Sequence, residues 1–147
     1  MLFWWTKFHI NMTDIHEPEV RSYNMSQIRS KNTKPELIVR KFLFKNGFRY
    51  NLHVKDLPGK PDIVLPKYKT VIFINGCFWH GHKNCKNAKT PVENRSFWID
   101  KITTNGVRDR KNIHLLKNEN WKVFIIWECQ LHPKIVEKSL LKMLNKF

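Results

Sequence analysis

Residues 73–85, FINGCFWHGHKNC, hold two histidines, two of the chain's three cysteines and two adjacent aromatics. Cys77, His82 and Cys85 have the spacing of metal ligands on one loop. Cys129, the remaining cysteine, follows an apolar run near the C-terminus. Together they make a Cys3His set, a usual composition for structural Zn2+, in which four protein ligands leave no position for water. His80 competes with His82 as the imidazole ligand. Left out of the metal, it is free to act as a general base, since an imidazole titrates near neutrality. Phe78 and Trp79, beside a glycine on a stapled loop, suit contact with a nucleic acid better than a place in a core.

A second chemistry starts at Asp62, which follows the turn Leu57-Pro-Gly-Lys-Pro61 and opens a short apolar run. A carboxylate there is either a turn former or a Mg2+ ligand. Pro61-Asp62, followed by a second strand, is the frame of the PD-(D/E)xK nuclease site, where Mg2+ between adjacent strands stabilises charge on a phosphate. The second acidic position falls at Ile74, which offers only its main-chain carbonyl. Gly76 stands where the lysine would be. This is a degenerate nuclease pattern, with His80 as its natural base.

The elements that must position these residues follow from periodicity and punctuation. A short helix is expected over residues 17–29, with Pro18 in its first turn. Thr33 and Glu36 have capping-box spacing and open a second helix that ends at Gly47. Strands are expected at Phe48–His53, Asp62–Leu65 and Thr70–Ile74. The last is a continuous apolar run, hence central and covered on both faces. The loop over residues 75–94 is long for a compact domain and needs a reason of its own, which a metal supplies. Ser96–Asn118 is a long helix with Phe97, Trp98, Ile102, Val107, Ile113 and Leu116 as its apolar positions and Gly106 as a place to kink. Trp121–Trp127 is a fourth strand, both tryptophans being core. A last helix opens at Pro133. The order ααβββαβα predicts an α/β fold, helices flanking a central mixed β-sheet.

The chain has 147 residues, enough for one domain, and 27 Lys and Arg against 12 Asp and Glu give a net charge of +15. The basic residues are spread along the sequence, which points to a basic face on a folded domain. Nucleic acid is the first partner implied and an anionic membrane the second. No stretch approaches the ~20 apolar residues of a membrane span. An odd cysteine count without a secretion signal implies a reducing cytoplasm. Residues 1–11 are apolar and aromatic, and Met12 is expected to be the true start, with 12–147 a single domain; the alternative is a short ordered arm.

The stretches MSQIRSKNTKPE, LPGKPDIVL, VIFINGCFWHGHKNC, FWIDKITTNGVRDR and WKVFIIWEC occur in this order. Together they resemble the very short patch repair (Vsr) endonucleases, over nearly everything from Met12 to about residue 145. The resemblance implies a type II restriction-endonuclease-like fold with a zinc-stapled loop. It implies a monomeric enzyme that uses Mg2+ to nick one strand 5′ to the mismatched T of a T·G pair in double-stranded DNA, with mismatch-repair proteins as possible partners. Carried over by motif, Asp62 resembles the Mg2+ ligand, with the Ile74 carbonyl beside it, and His80 the general base. Glu36 resembles a further acidic contributor acting through metal-bound water. Cys77, His82, Cys85 and Cys129 resemble the structural Zn2+ ligands. Phe78, Trp79 and Trp98 resemble the aromatics that enter the duplex, with Met25 pressing from the other groove. The family usually has His where this chain has Asn75.

Bland alternatives stand beside these roles. Glu36 is equally a capping residue, and Met25 and Trp98 are equally core. Asp109 either orients His80 or forms a surface ion pair with Arg108 or Arg110. His53, His114 and His132 receive no role. A non-catalytic zinc-stapled DNA-binding module, and a related nuclease with another substrate, are the rival functions.

Overall fold

The computed structural model describes residues 18–26 and 31–147. The chain divides into two units, up to Ser30 and from Lys31 onward. The first contributes one described element, helix α1 (Pro18–Ser26), with Pro18 at its start. The start at Met12 and the fate of residues 1–11 lie outside the described residues, as does the side chain of Met25.

The second unit runs α2 (Lys34–Lys45), β1 (Asn51–Leu52), β2 (Ile63–Leu65), β3 (Thr70–Asn75), α3 (Arg95–Asn118), β4 (Lys122–Trp127) and α4 (Val136–Leu144). The sheet order is β1-β2-β3-β4. The first two pairings are antiparallel, and β3 pairs with β4 in parallel from Thr70↔Lys122 to Asn75↔Trp127. A parallel neighbour needs a crossover, and α3 is that crossover. The architecture is therefore a mixed α/β layer structure.

Alternation along the strands sorts the core into two faces. Ile63, Leu65, Ile72 and Ile126 pack with Val39 and Leu43 of α2 and Leu140 and Met143 of α4. Val64 and Val71 pack with Leu116 of α3, and Phe73, Trp121 and Val123 join them. The strand β3 is thus covered on both sides, as its unbroken apolar run predicts.

Three sequence expectations need correction. The strand predicted at Phe48–His53 pairs only at Asn51–Leu52. Phe48 instead returns its N–H to the Leu43 carbonyl to cap α2, and His53 turns left-handed at φ +51. The last helix starts at Val136 rather than Pro133, because residues 133–135 form a turn in which the Ile135 and Val136 N–H groups both bond the His132 carbonyl. Trp127 leaves the core to stack on His82, with ring centroids 4.0 Å apart and planes within 3°. Among the described residues, no helix is long and apolar enough to cross a membrane.

Candidate active site and metal centre

The antiparallel ladder between β2 and β3 sets Ile63 opposite Ile72, so two residues further Pro61 falls opposite Ile74. Proline has no N–H to donate, and the ladder stops. Asp62 fills the gap: its Oδ2 accepts the Ile74 N–H at 2.7 Å. The carbonyl of Ile74 points to the same side of the strand as its N–H. It therefore loses the donor that a ladder partner would have supplied. A carboxylate and the Ile74 main chain come together at one strand end. Burial raises the Asp62 carboxyl above its ordinary range; the Ile74 N–H opposes this, and the Glu36 charge adds to it.

Glu36 lies in the first turn of α2, where an acidic residue favours the helix dipole. Its N–H reaches Thr33 Oγ1 at 3.4 Å, one half of a capping box. The other half is altered: Oε2 accepts the N–H of Asn32 at 2.9 Å and Nη2 of Arg40 at 2.7 Å. Glu36 and Arg40 are both buried. His53, to which the sequence assigns no role, sits 3.1 Å by Nε2 from Arg40 Nη2 and 4.0 Å from Glu36 Oε2. No sequence signal reveals this contact, because it joins a helix to the end of a strand across a left-handed turn.

Past Asn75, which is buried, the chain coils tightly. The N–H of His80 bonds the Gly76 carbonyl and that of His82 bonds the Cys77 carbonyl at 2.9 Å. The second bond closes Cys77 onto His82. Cys77 Sγ lies 3.6 Å and Cys129 Sγ 3.5 Å from His82 Nδ1. A tetrahedral ion with S ligands near 2.3 Å and an N ligand near 2.05 Å places S and N about 3.6 Å apart. The ligand atoms of Cys77, His82, Cys85 and Cys129 all lie within 4.8 Å of one another, so the set fits one metal ion. Burial pushes the Cys77 thiol up to about 12 and raises Cys129, whereas the Asn87 N–H lowers Cys85.

One stripe of α3 holds the rest of this loop. Residues 98, 102, 105, 109, 112 and 116 recur at three- and four-residue spacing and share a helix face. Trp98 packs edge-on against Phe78 and Trp79, at 5.3 Å and 5.9 Å between centroids, and those two meet at 5.1 Å. Ile102 lies under Gly81, whose φ is +60 and where a Cβ would stand 2.7 Å from Ile102 Cγ2. The Asn105 amide donates to the Trp79 carbonyl at 2.9 Å. Asp109 Oδ2 lies 2.5 Å from His80 Nδ1, and Arg108 reaches its other oxygen at 3.4 Å. Asn112 lies against Gly59, and Leu116 enters the core. The apolar positions Phe97 and Val107 instead face solvent. Of the predicted residues, the structure gathers Cys77, His82, Cys85 and Cys129 in one group, Phe78, Trp79 and Trp98 in a second, His80 and Asp109 in a third, and Asp62 and Ile74 in a fourth.

A family model described as DNA mismatch endonuclease Vsr matches residues 13–87. DNA mismatch endonuclease Vsr of Escherichia coli K12 is 37% identical over 138 residues, covering 92% of this chain and 88% of its own length. This chain belongs to the Vsr family. It is a DNA endonuclease. Two type II nicking enzymes are also similar to it. V.NmeAIP of Neisseria meningitidis is 51% identical over 133 residues, which is 90% of this chain and 94% of that one. V.XorIIP of Xanthomonas oryzae pv. oryzae is 48% identical over 120 residues, which is 82% and 88%. Within a Vsr endonuclease, a basic surface of net charge +15 has its anionic partner in DNA.

Proposed function

We propose that this Vsr endonuclease nicks one strand of duplex DNA beside a T·G mismatch, using Mg2+ on a PD-(D/E)xK-like core stapled by Zn2+. The observation that carries the reading is the pairing of His80 Nδ1 with Asp109 Oδ2 at 2.5 Å, on the loop that also carries Phe78 and Trp79. A carboxylate at Nδ1 holds the ring proton there and leaves Nε2 as the acceptor. His80 is then set to take a proton from an attacking water, and the imidazolium that forms stays paired with Asp109.

Asp62 and the Ile74 carbonyl would hold Mg2+, which when bound would supply stabilisation of the charge on the scissile phosphate. The α2–β1–β2–β3–α3–β4 order supports the nuclease-core reading, since Asp62 opens one strand beside the end of the next. The Cys3His group supports a structural Zn2+, because four protein donors fill the coordination sphere. Phe78, Trp79 and Trp98 form one aromatic block able to enter a stack. A T·G wobble is more easily deformed than a matched pair, so wedging rings beside it costs less of the few kcal/mol that unstacking a step requires.

The test is a nicking assay on T·G and matched T·A duplexes with Mg2+ or EDTA. Nicking confined to T·G DNA and abolished by EDTA is expected; equal cleavage of matched DNA overturns the substrate. Asp109→Asn should lower the single-turnover rate within the ~10²–10⁴-fold range of acid–base catalysis while leaving DNA binding unchanged. An unchanged rate removes Asp109 from the mechanism.

A further inference from the structure

Two unfavourable features meet at one place away from the core. His53 holds φ +51, a left-handed conformation that non-glycine residues keep only where their surroundings fix them. Arg40 is buried, and its Nε is a buried donor with no partner among the described residues, an exception that calls for a reason. Both serve one arrangement. Nη1 of Arg40 donates to Asn32 Oδ1 at 2.7 Å, and Nη2 donates to Glu36 Oε2 at 2.7 Å while lying 3.1 Å from His53 Nε2. A guanidinium has donors only, so the last contact is a hydrogen bond with Nε2 as acceptor and the ring proton on Nδ1.

We propose that His53 is a positioning residue: by accepting from Arg40 it locks the guanidinium, and through it the Glu36 carboxylate, in the orientation that sets divalent-ion affinity at the strand end. The proposal rests on the reading of Asp62 as the Mg2+ ligand. A chain of hydrogen bonds fixes the Glu36 carboxylate, which would offer an oriented acceptor beside a bound divalent ion. Supporting groups of this kind govern affinity more than the chemical step.

The sequence of contacts suggests a discriminating pair of variants. In His53→Gln the side-chain oxygen reaches about as far as Nε2, but the residue is strained at φ +51. In His53→Asn the residue is at ease there, since asparagine tolerates the left-handed region, but the side chain is too short to reach Arg40. Mn2+ binding to the full-length, zinc-loaded protein is read by electron paramagnetic resonance, beside the Mg2+ dependence of nicking. His53→Asn should weaken Mn2+ binding and raise the Mg2+ concentration for half-maximal nicking by roughly tenfold or more, with the rate at saturating Mg2+ little changed. His53→Gln should restore both. Wild-type Mn2+ binding in His53→Asn, or equal weakening in His53→Gln, overturns the proposal. His53→Gly, unstrained and without an acceptor, replaces the Asn variant if that one does not fold, with the same expected weakening. Asp62→Asn is run in parallel. If it binds Mn2+ as the wild type does, the metal-site reading fails and the proposal with it. If it loses Mn2+ while the Asn and Gly variants bind normally, the positioning role alone fails.

Discussion

The carboxylate cluster around Asp62 and the loop from Cys77 to Cys85 follow one another along the chain, yet they are held by different means. The first is built by regular elements: a helix N-terminus supplies Glu36, and a ladder interrupted at Pro61 supplies the Asp62–Ile74 contact. The second has almost no regular structure of its own. It rests on a Cys3His group that could hold one metal ion and on one stripe of α3. A site within a sheet inherits its geometry from the backbone pattern. A site on a loop needs cross-links, and the two kinds should therefore fail separately.

Asp62→Asn is the sharpest break. It should abolish nicking while zinc content stays at one per chain; retained nicking removes Asp62 from the site. The same variant tests the raised carboxyl. A carboxyl raised by burial favours folding at low pH, and that contribution is lost as pH rises through its folded value. The metal-free Asn variant should therefore be more stable than the wild type at neutral pH, with the gap closing in acid. Denaturant unfolding at several pH values reads this, and a gap that widens in acid contradicts the burial argument.

Cys129→Ala should produce the opposite failure. Zinc content should fall to near zero, and a large part of a domain's ~5–15 kcal/mol of stability should go with it. A metal-free protein of unchanged stability removes the staple. In the wild type, Cys77 and Cys129 hold their protons at neutral pH, because burial raises both, and must release them to bind metal. Apparent zinc affinity against a competing chelator should therefore drop about a hundredfold, tenfold for each of the two protons, for each unit of pH lowered below neutrality. A pH-independent affinity excludes thiolate ligation by these two residues.

The smallest expected effect separates the stripe of α3 from the metal. Gly81→Ala places a side chain at φ +60 and a Cβ 2.7 Å from Ile102 Cγ2. A cost of about 1–3 kcal/mol is expected, with zinc retained. Ile102→Ala in the same chain should return the steric part and leave the backbone part. No recovery means that the loop is not seated on Ile102.

Much of this was legible in the sequence because the residues speak locally. The metal ligands are short-range and chemically distinctive, with Cys129 the one thiol left to complete them. The buried strand at 70–75 shows as an unbroken apolar run, and Thr33 with Glu36 marks a helix start. The contact face of α3 was legible only in its apolar members, Trp98, Ile102 and Leu116. It also includes Asn105 and Asn112, which no apolar pattern marks, and Asp109, for which the sequence left open a contact with His80 or a surface ion pair, while Phe97 and Val107, which read as apolar positions of the helix, are exposed. Hydrophobic periodicity finds a helix face only where its neighbour is apolar, and over Asn105 and Asp109 the neighbours are a backbone carbonyl and an imidazole.

The sequence by itself determined the element order, the Cys3His group that could hold a metal, and the family. Each rests on residue type at short spacing, and the family on several such motifs in a fixed order. Only the tertiary structure decided which groups meet: His80 with Asp109, His82 with Trp127, and His53 with Arg40. These pairs join a loop, a helix and strand ends that lie far apart in the chain. Their geometry comes from a crossover, a left-handed turn and an interrupted ladder, and side-chain spacing carries no record of any of these.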